Sequence, residues 1–248
     1  MQEKSALDRA MAMVRDLRER CAWDRVQTRD TLRPYLIEEV HELDHAIGEG
    51  PPAAIRAEVA DLMLHLAWQL VLGEELGEFT ADAVAADLES KMKRRHPHLF
   101  DLGPKEAWEA LKRKEAPRGV LDGLPPTLPD LLLAFRMGER AAAVGFDWPD
   151  VEGPLAKVRE ELAEVEEALP TGDRTALDHE IGDLLFSAVN VARKAGIAPG
   201  PALGRANQRF RRRFEGVEQF AAARGIDLHG ASLEVLDQLW NEVKASEA

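Results

Sequence analysis

Glu39 and Glu42 stand three residues apart in the stretch LIEEVHELDHAI, and Glu58 and Asp61 repeat that spacing in EVADLMLHL. On a helix, two such residues lie about 60° apart around the axis and about 4.5 Å apart along it, so a pair can address one point. Glu161, Glu164, Glu180 and Asp183 stand in the same relation, each 122 residues after its counterpart. A single acidic cluster is ordinarily the solvated side of an amphipathic helix, and like charges one turn apart cost only about 0.2–0.5 kcal/mol per pair. Four converging carboxylates are different: removed from water, they raise one another's proton affinity unless a cation compensates. All-oxygen ligation suits a hard ion, and Mg²⁺ completes its octahedron with waters and phosphate oxygens, with Mn²⁺ an acceptable substitute.

The elements that would position these residues follow from the lengths between them. About five helical residues run from Glu42 to Ile47, GEGPP turns the chain, and about five more run from Ala53 to Glu58. Equal legs in an antiparallel hairpin return Glu58 to the level of Glu42 and predict that all four carboxylates meet. Glu164–Leu169, PTGDR and Thr175–Glu180 predict the same hairpin in the second copy. Weaker echoes extend the repeat: KMKRRH from Lys91 aligns with RFRRRF from Arg209, and WEALK from Trp108 with WNEVK from Trp240. The shifting offsets say that loops changed length while helices kept their contents. Strand and hairpin-turn signals are scarce, and Gly/Pro clusters punctuate helical patterning, so the fold class is all-α. APRGVLDGLPPTLPD, 116–130, reads as a linker between helical domains at 1–115 and 131–248.

Composition narrows the partners. With 45 acidic against 32 basic residues, the net charge of −13 argues against a protein that coats nucleic acid by neutralising phosphates. Cys21 is the only cysteine, which excludes an internal disulfide framework and fits a reducing compartment. The charged N-terminus does not read as a secretory leader, and LMLHLAWQLVL, 62–72, falls short of the roughly 20 residues that span a bilayer. A cytoplasmic protein with no membrane partner is expected.

Glu-Glu-x-x-Glu followed by Glu-x-x-Asp resembles the signature of MazG-type nucleoside triphosphate pyrophosphohydrolases. CAWDRVQT, LRPYLIEEVHE, KRRHPHLF, VGFDW and ANQRFRRRF resemble segments of the two-domain form, in order, over nearly the whole chain. The resemblance implies tandem MazG-type helical domains forming helix bundles in an intertwined homodimer. It implies Mg²⁺-dependent hydrolysis of a nucleoside triphosphate, canonical or damaged, to the monophosphate and pyrophosphate. The metal positions carry over to Glu161, Glu164, Glu180 and Asp183, and in the first copy to Glu39, Glu42, Glu58 and Asp61. In related two-domain proteins the C-terminal copy is more reliably active, so the second set carries more weight. Water attacks the α-phosphorus as pyrophosphate leaves. Glu160 or Glu38, one residue around the helix from the metal positions, would orient or deprotonate that water, a task also open to the ligand Glu161.

Substrate contacts are expected from the basic segments. Arg209 and Arg213 share a helix face, as do Lys91 and Arg95, and guanidinium forks suit phosphate oxygens. Trp240 and Lys244, one turn apart and mirrored by Trp108 and Lys112, would stack a base and hold a phosphate. Asn190 and Asn207 are further base or sugar contacts. The chain departs from similar proteins at Met137 and Gly138, where longer polar residues are usual, and at Arg209, where lysine is frequent. Two rival readings use the same residues: a nucleotide-binding regulatory module without turnover, and a di-iron carboxylate bundle. Glu42-x-x-His45 and His65 favour the latter, but the second copy has Glu167 where its histidine would stand. His41, His45 and His179 read as exposed helix residues.

Overall fold

The structure, a computed structural model, describes residues 5–105 and 119–247. The predicted contacts Trp108 and Lys112 lie outside the described residues. The chain divides into two compact units, Met1–Lys112 and Arg113–Ala248. Among the described residues every regular element is a helix, as the composition and punctuation predict.

In the first unit, α1 (Ala6–Arg20) begins where Ser5 and Asp8 cap each other, side chain to backbone N–H in both directions. A short α2 (Ala22–Arg25) follows, and α3 (Arg29–Glu49) starts on the same reciprocal cap between Thr28 and Thr31. These caps satisfy N–H groups that the first turn leaves orphaned. α4 (Pro52–Glu75) packs against both α1 and α3, and α5 (Ala81–Arg95) follows it. The C-terminal half of α4 is the buried half. Its Ala67, Trp68, Leu70, Val71 and Leu72 meet Met11 and Val14 of α1 and Leu32 of α3. Anchoring that end leaves the N-terminal half, with Glu58 and Asp61, to run beside α3. Only Gly50 and Pro51 separate the two helices, a tighter turn than the sequence predicts. A Cβ on Gly50 would stand 2.7 Å from the Ala46 carbonyl oxygen, so glycine permits this turn.

In the second unit, α6 (Asp130–Ala142) and α7 (Glu152–Ala168) both pack on α8 (Arg174–Lys194), while α9 (Pro199–Ala223) pairs with α10 (Leu233–Ser246). Val217, Ala221, Leu239 and Val243 form the buried seam of the last pair. A 3₁₀ turn over Leu169–Thr171 ends α7, and Asp173 caps α8 by accepting from the N–H groups of Thr175 and Ala176.

The loop between α6 and α7 is fastened to α8 through the Asp147 carboxylate and through the Trp148 carbonyl, which accepts from Lys194 at 2.6 Å. Asp147 accepts from Arg193 at 2.5 and 3.2 Å and from Lys194 at 3.1 Å. The Arg193 hydrogen bonds, with further help from Lys194, hold its pKa at about 2, against an ordinary value of 3.8. Because the folded-state value is depressed, this stabilisation is full above the ordinary value and is lost as pH falls through about 2. Solvent screening at this exposed residue discounts that shift, so Asp147→Asn is expected to cost about 1 kcal/mol at neutral pH. Urea midpoints of the variant and the parent should converge as the medium is acidified below pH of about 4.

Gly138 on α6 faces the same fastening. A Cβ there would stand 2.8 Å from Arg193 Nε and 3.0 Å from Asn190 Oδ1, which are themselves joined by a 3.1 Å hydrogen bond. The glycine that weakens α6 in isolation thus lets α8 approach it. On an open helix face Gly→Ala stabilises by about 0.4–1 kcal/mol. Here Gly138→Ala is expected to destabilise by about 1 kcal/mol or more, read as a lower urea midpoint.

Candidate functional site

The α3–α4 hairpin brings one oxygen each of Glu39, Glu58 and Asp61 within 4.8 Å of one another. Glu42 stands outside this tight group but close enough for its charge to act on Glu39. Burial first, and then the charges of Asp61, Glu42, Glu58 and Glu38, push the Glu39 carboxyl above the usual range. Glu39 Oε2 is buried and has no hydrogen-bond partner. His65, one turn beyond Asp61 on α4, is buried with Nε2 4.0 Å from Glu39 Oε1. Burial lowers its pKa, with the Asp61 charge acting in the opposite direction. Glu38 is exposed, as are His41 and His45.

The α7–α8 hairpin repeats the arrangement with a different distribution. Glu161, Glu164 and Glu180 form the tight group, and Glu180 also belongs to a second group with His179 and Asp183. His179 Nδ1, on an exposed ring, lies 3.7 Å from Glu180 Oε1 and 3.4 Å from Asp183 Oδ2. The expected meeting of four carboxylates is thus a close approach of three in each unit. Repulsion between like charges limits how many can approach together.

Glu161 is 3% exposed, and its Oε2, like that of Glu39, is buried without a hydrogen-bond partner. Its Oε1 lies 2.6 Å from the Lys157 ammonium, which also reaches Glu160 at 2.7 Å. That ammonium holds Glu161 below the usual carboxylate range, while the hydrogen bond with Glu161 pushes Glu164 above it. Hydrogen bonds to Glu160 and Glu161 raise Lys157 in turn. Lys157 is absent from the sequence-based expectations, although its place one turn before Glu161 was a legible signal.

A buried carboxylate oxygen without a donor is costly, and it recurs at the equivalent positions Glu39 and Glu161. An all-oxygen trio around such an atom fits a hard divalent cation such as Mg²⁺ or Mn²⁺. The profile of the MazG nucleotide pyrophosphohydrolase domain matches residues 27–100 and 151–217, one acidic hairpin in each. The chain belongs to the MazG family. A nucleoside triphosphate pyrophosphohydrolase of Escherichia coli K12 is 37% identical over 250 residues, covering 96% of this chain and 95% of that relative. A Thermotoga maritima protein, nucleoside triphosphate pyrophosphohydrolase/pyrophosphatase MazG, is 38% identical over 235 residues, 92% of this chain and 91% of its own. A Mycobacterium tuberculosis nucleoside triphosphate pyrophosphohydrolase is 35% identical over 145 residues, 55% of this chain and 45% of that relative.

In the second MazG repeat, Arg213 of α9 reaches α10, its guanidinium 6.0 Å from the Trp240 ring centroid and 2.7 Å from Glu247. Phe210 lies 5.3 Å from the same indole. Trp240 is half-buried against the Val217–Leu239 seam, so it belongs to the core on one side and is accessible on the other. Arg209 and Lys244 are exposed on α9 and α10, as is Asn207. Asn190 is buried, donating to the Phe186 carbonyl and accepting from Arg193 Nε. With Met137, Gly138, Phe146, Trp148 and Phe186 it lines a cavity of about 410 Å³. In the first repeat Lys91 and Arg95 lie on α5, with Lys91 exposed. No helix among the described residues is long and apolar enough to cross a membrane.

Proposed function

We propose that this MazG protein hydrolyses nucleoside triphosphates, canonical or damaged, to the monophosphate and pyrophosphate, and so controls the cytoplasmic nucleotide pool. The observation that carries the reading is the repeated acidic hairpin with a buried, partnerless carboxylate oxygen at Glu39 and at Glu161. Glu161, Glu164, Glu180 and Asp183 would hold Mg²⁺ in the second unit, as would Glu39, Glu42, Glu58 and Asp61 in the first. Such an ion, once held there, would offset charge on the phosphates and favour ionisation of a water. Glu160 accepts a proton from the attacking water or orients it, and Glu161 serves the same end from the ligand shell. Glu38 has the corresponding place in the first unit. Arg209, Arg213 and Lys244 bind phosphate oxygens and Trp240 stacks the base. Lys91 and Arg95, with Trp108 and Lys112, mirror them in the first repeat.

The test is pyrophosphate release from a panel of canonical and oxidised triphosphates with Mg²⁺ present. Turnover yielding monophosphate is expected. Nucleotide binding without pyrophosphate would favour a regulatory module, and bound iron with an oxygen-dependent absorption spectrum would favour the di-iron bundle.

A homodimer accounts for apolar side chains left in water at matching places of both hairpins. Val40 and Leu162, Ile47 and Leu169, Val59 and Ile181, Met63 and Leu185 are equivalent pairs, and all eight are exposed. An intertwined second copy would cover these stripes, and sedimentation at twice the chain mass is the result expected of it.

A further inference from the structure

We propose that the second unit holds a purine-selective recess between α6 and α8, in which the base of a nucleoside triphosphate takes the place that the Trp68 indole fills in the first unit. This rests on the reading that triphosphates bind at the second acidic hairpin. It adds a seat for the edge of the base to the stacking contact of Trp240, and it separates two units that the repeat makes look alike.

The offset of 122 that pairs the acidic positions continues along α4 and α8, so Leu64, Trp68 and Val71 correspond to Phe186, Asn190 and Arg193. In the first unit this face is core: Trp68 and Val71 are buried with Met11, Val14 and Leu32, and Leu64 packs against them. In the second unit Phe186, Asn190 and Arg193 border a cavity of about 410 Å³. Exchanging an indole for an amide removes most of the side chain, and α6 has not collapsed onto α8 to fill the space. Protein interiors are close-packed, and a hollow where the other copy has its core is costly unless something occupies it.

The cavity falls within the range of about 300–1,000 Å³ usual for small-molecule seats. Phe146, Trp148 and Phe186 line it and are exposed, so the space opens to solvent between aromatic faces. Val120 and Leu121 of the linker close one side, held by Arg140, which donates to the carbonyls of Val120 and Asp122. A purine, like the indole of Trp68, is a fused five- and six-membered ring, and it offers these faces more stacking surface than a pyrimidine does. Asn190 gives one Nδ2 hydrogen to the Phe186 carbonyl and one Oδ1 lone pair to Arg193, which leaves one of each to pair with the edge of a base. Seven residues of α8 separate Asp183 from Asn190, about 10 Å along the axis and about 20° around it. The reach of a nucleotide from its α-phosphate to its base is of that order, so phosphates at the acidic group and a base in the recess belong to one molecule.

The test uses the full chain. KM and kcat are compared for purine and pyrimidine triphosphates, and binding is followed by fluorescence titration with 2-aminopurine riboside triphosphate, whose emission stacking quenches. The parent should favour purines through KM. Asn190→Trp, which builds the first unit's indole into the second, should raise KM for purine triphosphates and the Kd of the probe by about 10-fold or more, and raise KM for pyrimidines less. Phe186→Ala removes one wall at an exposed position, and should weaken the same two constants by about 5- to 100-fold even if the tryptophan overpacks and unfolds its variant. Equal KM values for purines and pyrimidines in the parent, or a purine preference that survives in both variants, overturns the recess and leaves hydrolysis standing. Altered sedimentation of Asn190→Trp with unchanged affinity for the probe assigns the cavity to contact between two copies of the chain, and overturns the recess as well. Probe binding that both substitutions weaken, in a parent that releases no pyrophosphate from any triphosphate, upholds the recess and overturns hydrolysis alone.

Discussion

Glu180→Gln is expected to lower pyrophosphate release by about 10²- to 10³-fold at saturating Mg²⁺. Glu180 is the one residue common to both acidic groups of the second unit, near Glu161 and Glu164 on one side and His179 and Asp183 on the other. Glutamine keeps the shape and removes the charge, and charge is what a divalent ion gripping phosphates requires. Loss of about 3–4 kcal/mol of transition-state stabilisation corresponds to that fold-change, at 1.36 kcal/mol per factor of ten. The fold should not suffer, because the substitution removes one of the charges that raise Glu164. An unchanged or higher melting temperature beside a collapsed rate is therefore the expected pair of measurements. Glu58→Gln, the equivalent change in the first unit, should cost less if the second centre carries turnover. Intact turnover in Glu180→Gln would mean that the α7–α8 hairpin is not where the phosphate bond is broken.

Trp68→Ala is expected to be the most damaging change to stability, at about 3–5 kcal/mol. Trp68 is 2% exposed at the centre of the first unit's core, between α1, α3 and α4. Its ring also lies 5.3 Å from the Arg18 guanidinium, which donates to the carbonyls of Asp24 and Gln27 and to the Glu75 carboxylate. Truncation leaves a cavity too large for these helices to close, and it unseats a cation that ties the α2 region to the end of α4. Hydrogen exchange should quicken throughout α1 and α4. Protection retained at the parent level there would show that α4 is held by something other than this core.

The acidic trios were legible because helical spacing and a duplicated register are one-dimensional facts. Three-residue steps, equal legs on each side of a turn and an offset of 122 predict a hairpin of converging carboxylates. Loop lengths are less legible: α3 continues to Glu49, and only two residues turn the chain before α4. Gly50 shows why, since its effect comes from close approach of the backbone, which no local propensity reports. Gly138 is similar. In isolation it reads as a weak point of α6, whereas in the fold it makes room for Arg193 and Asn190.

The amino-acid string by itself points to an all-α fold, an internal duplication and eight acidic positions, because each depends on neighbours one turn or one copy away. Which three carboxylates of each four draw close, which oxygen is left without a donor, and that His65 is buried beside Glu39 required the helices to be packed. Burial and interatomic distance are properties of side chains meeting across separate helices, and sequence spacing constrains those meetings without selecting among them.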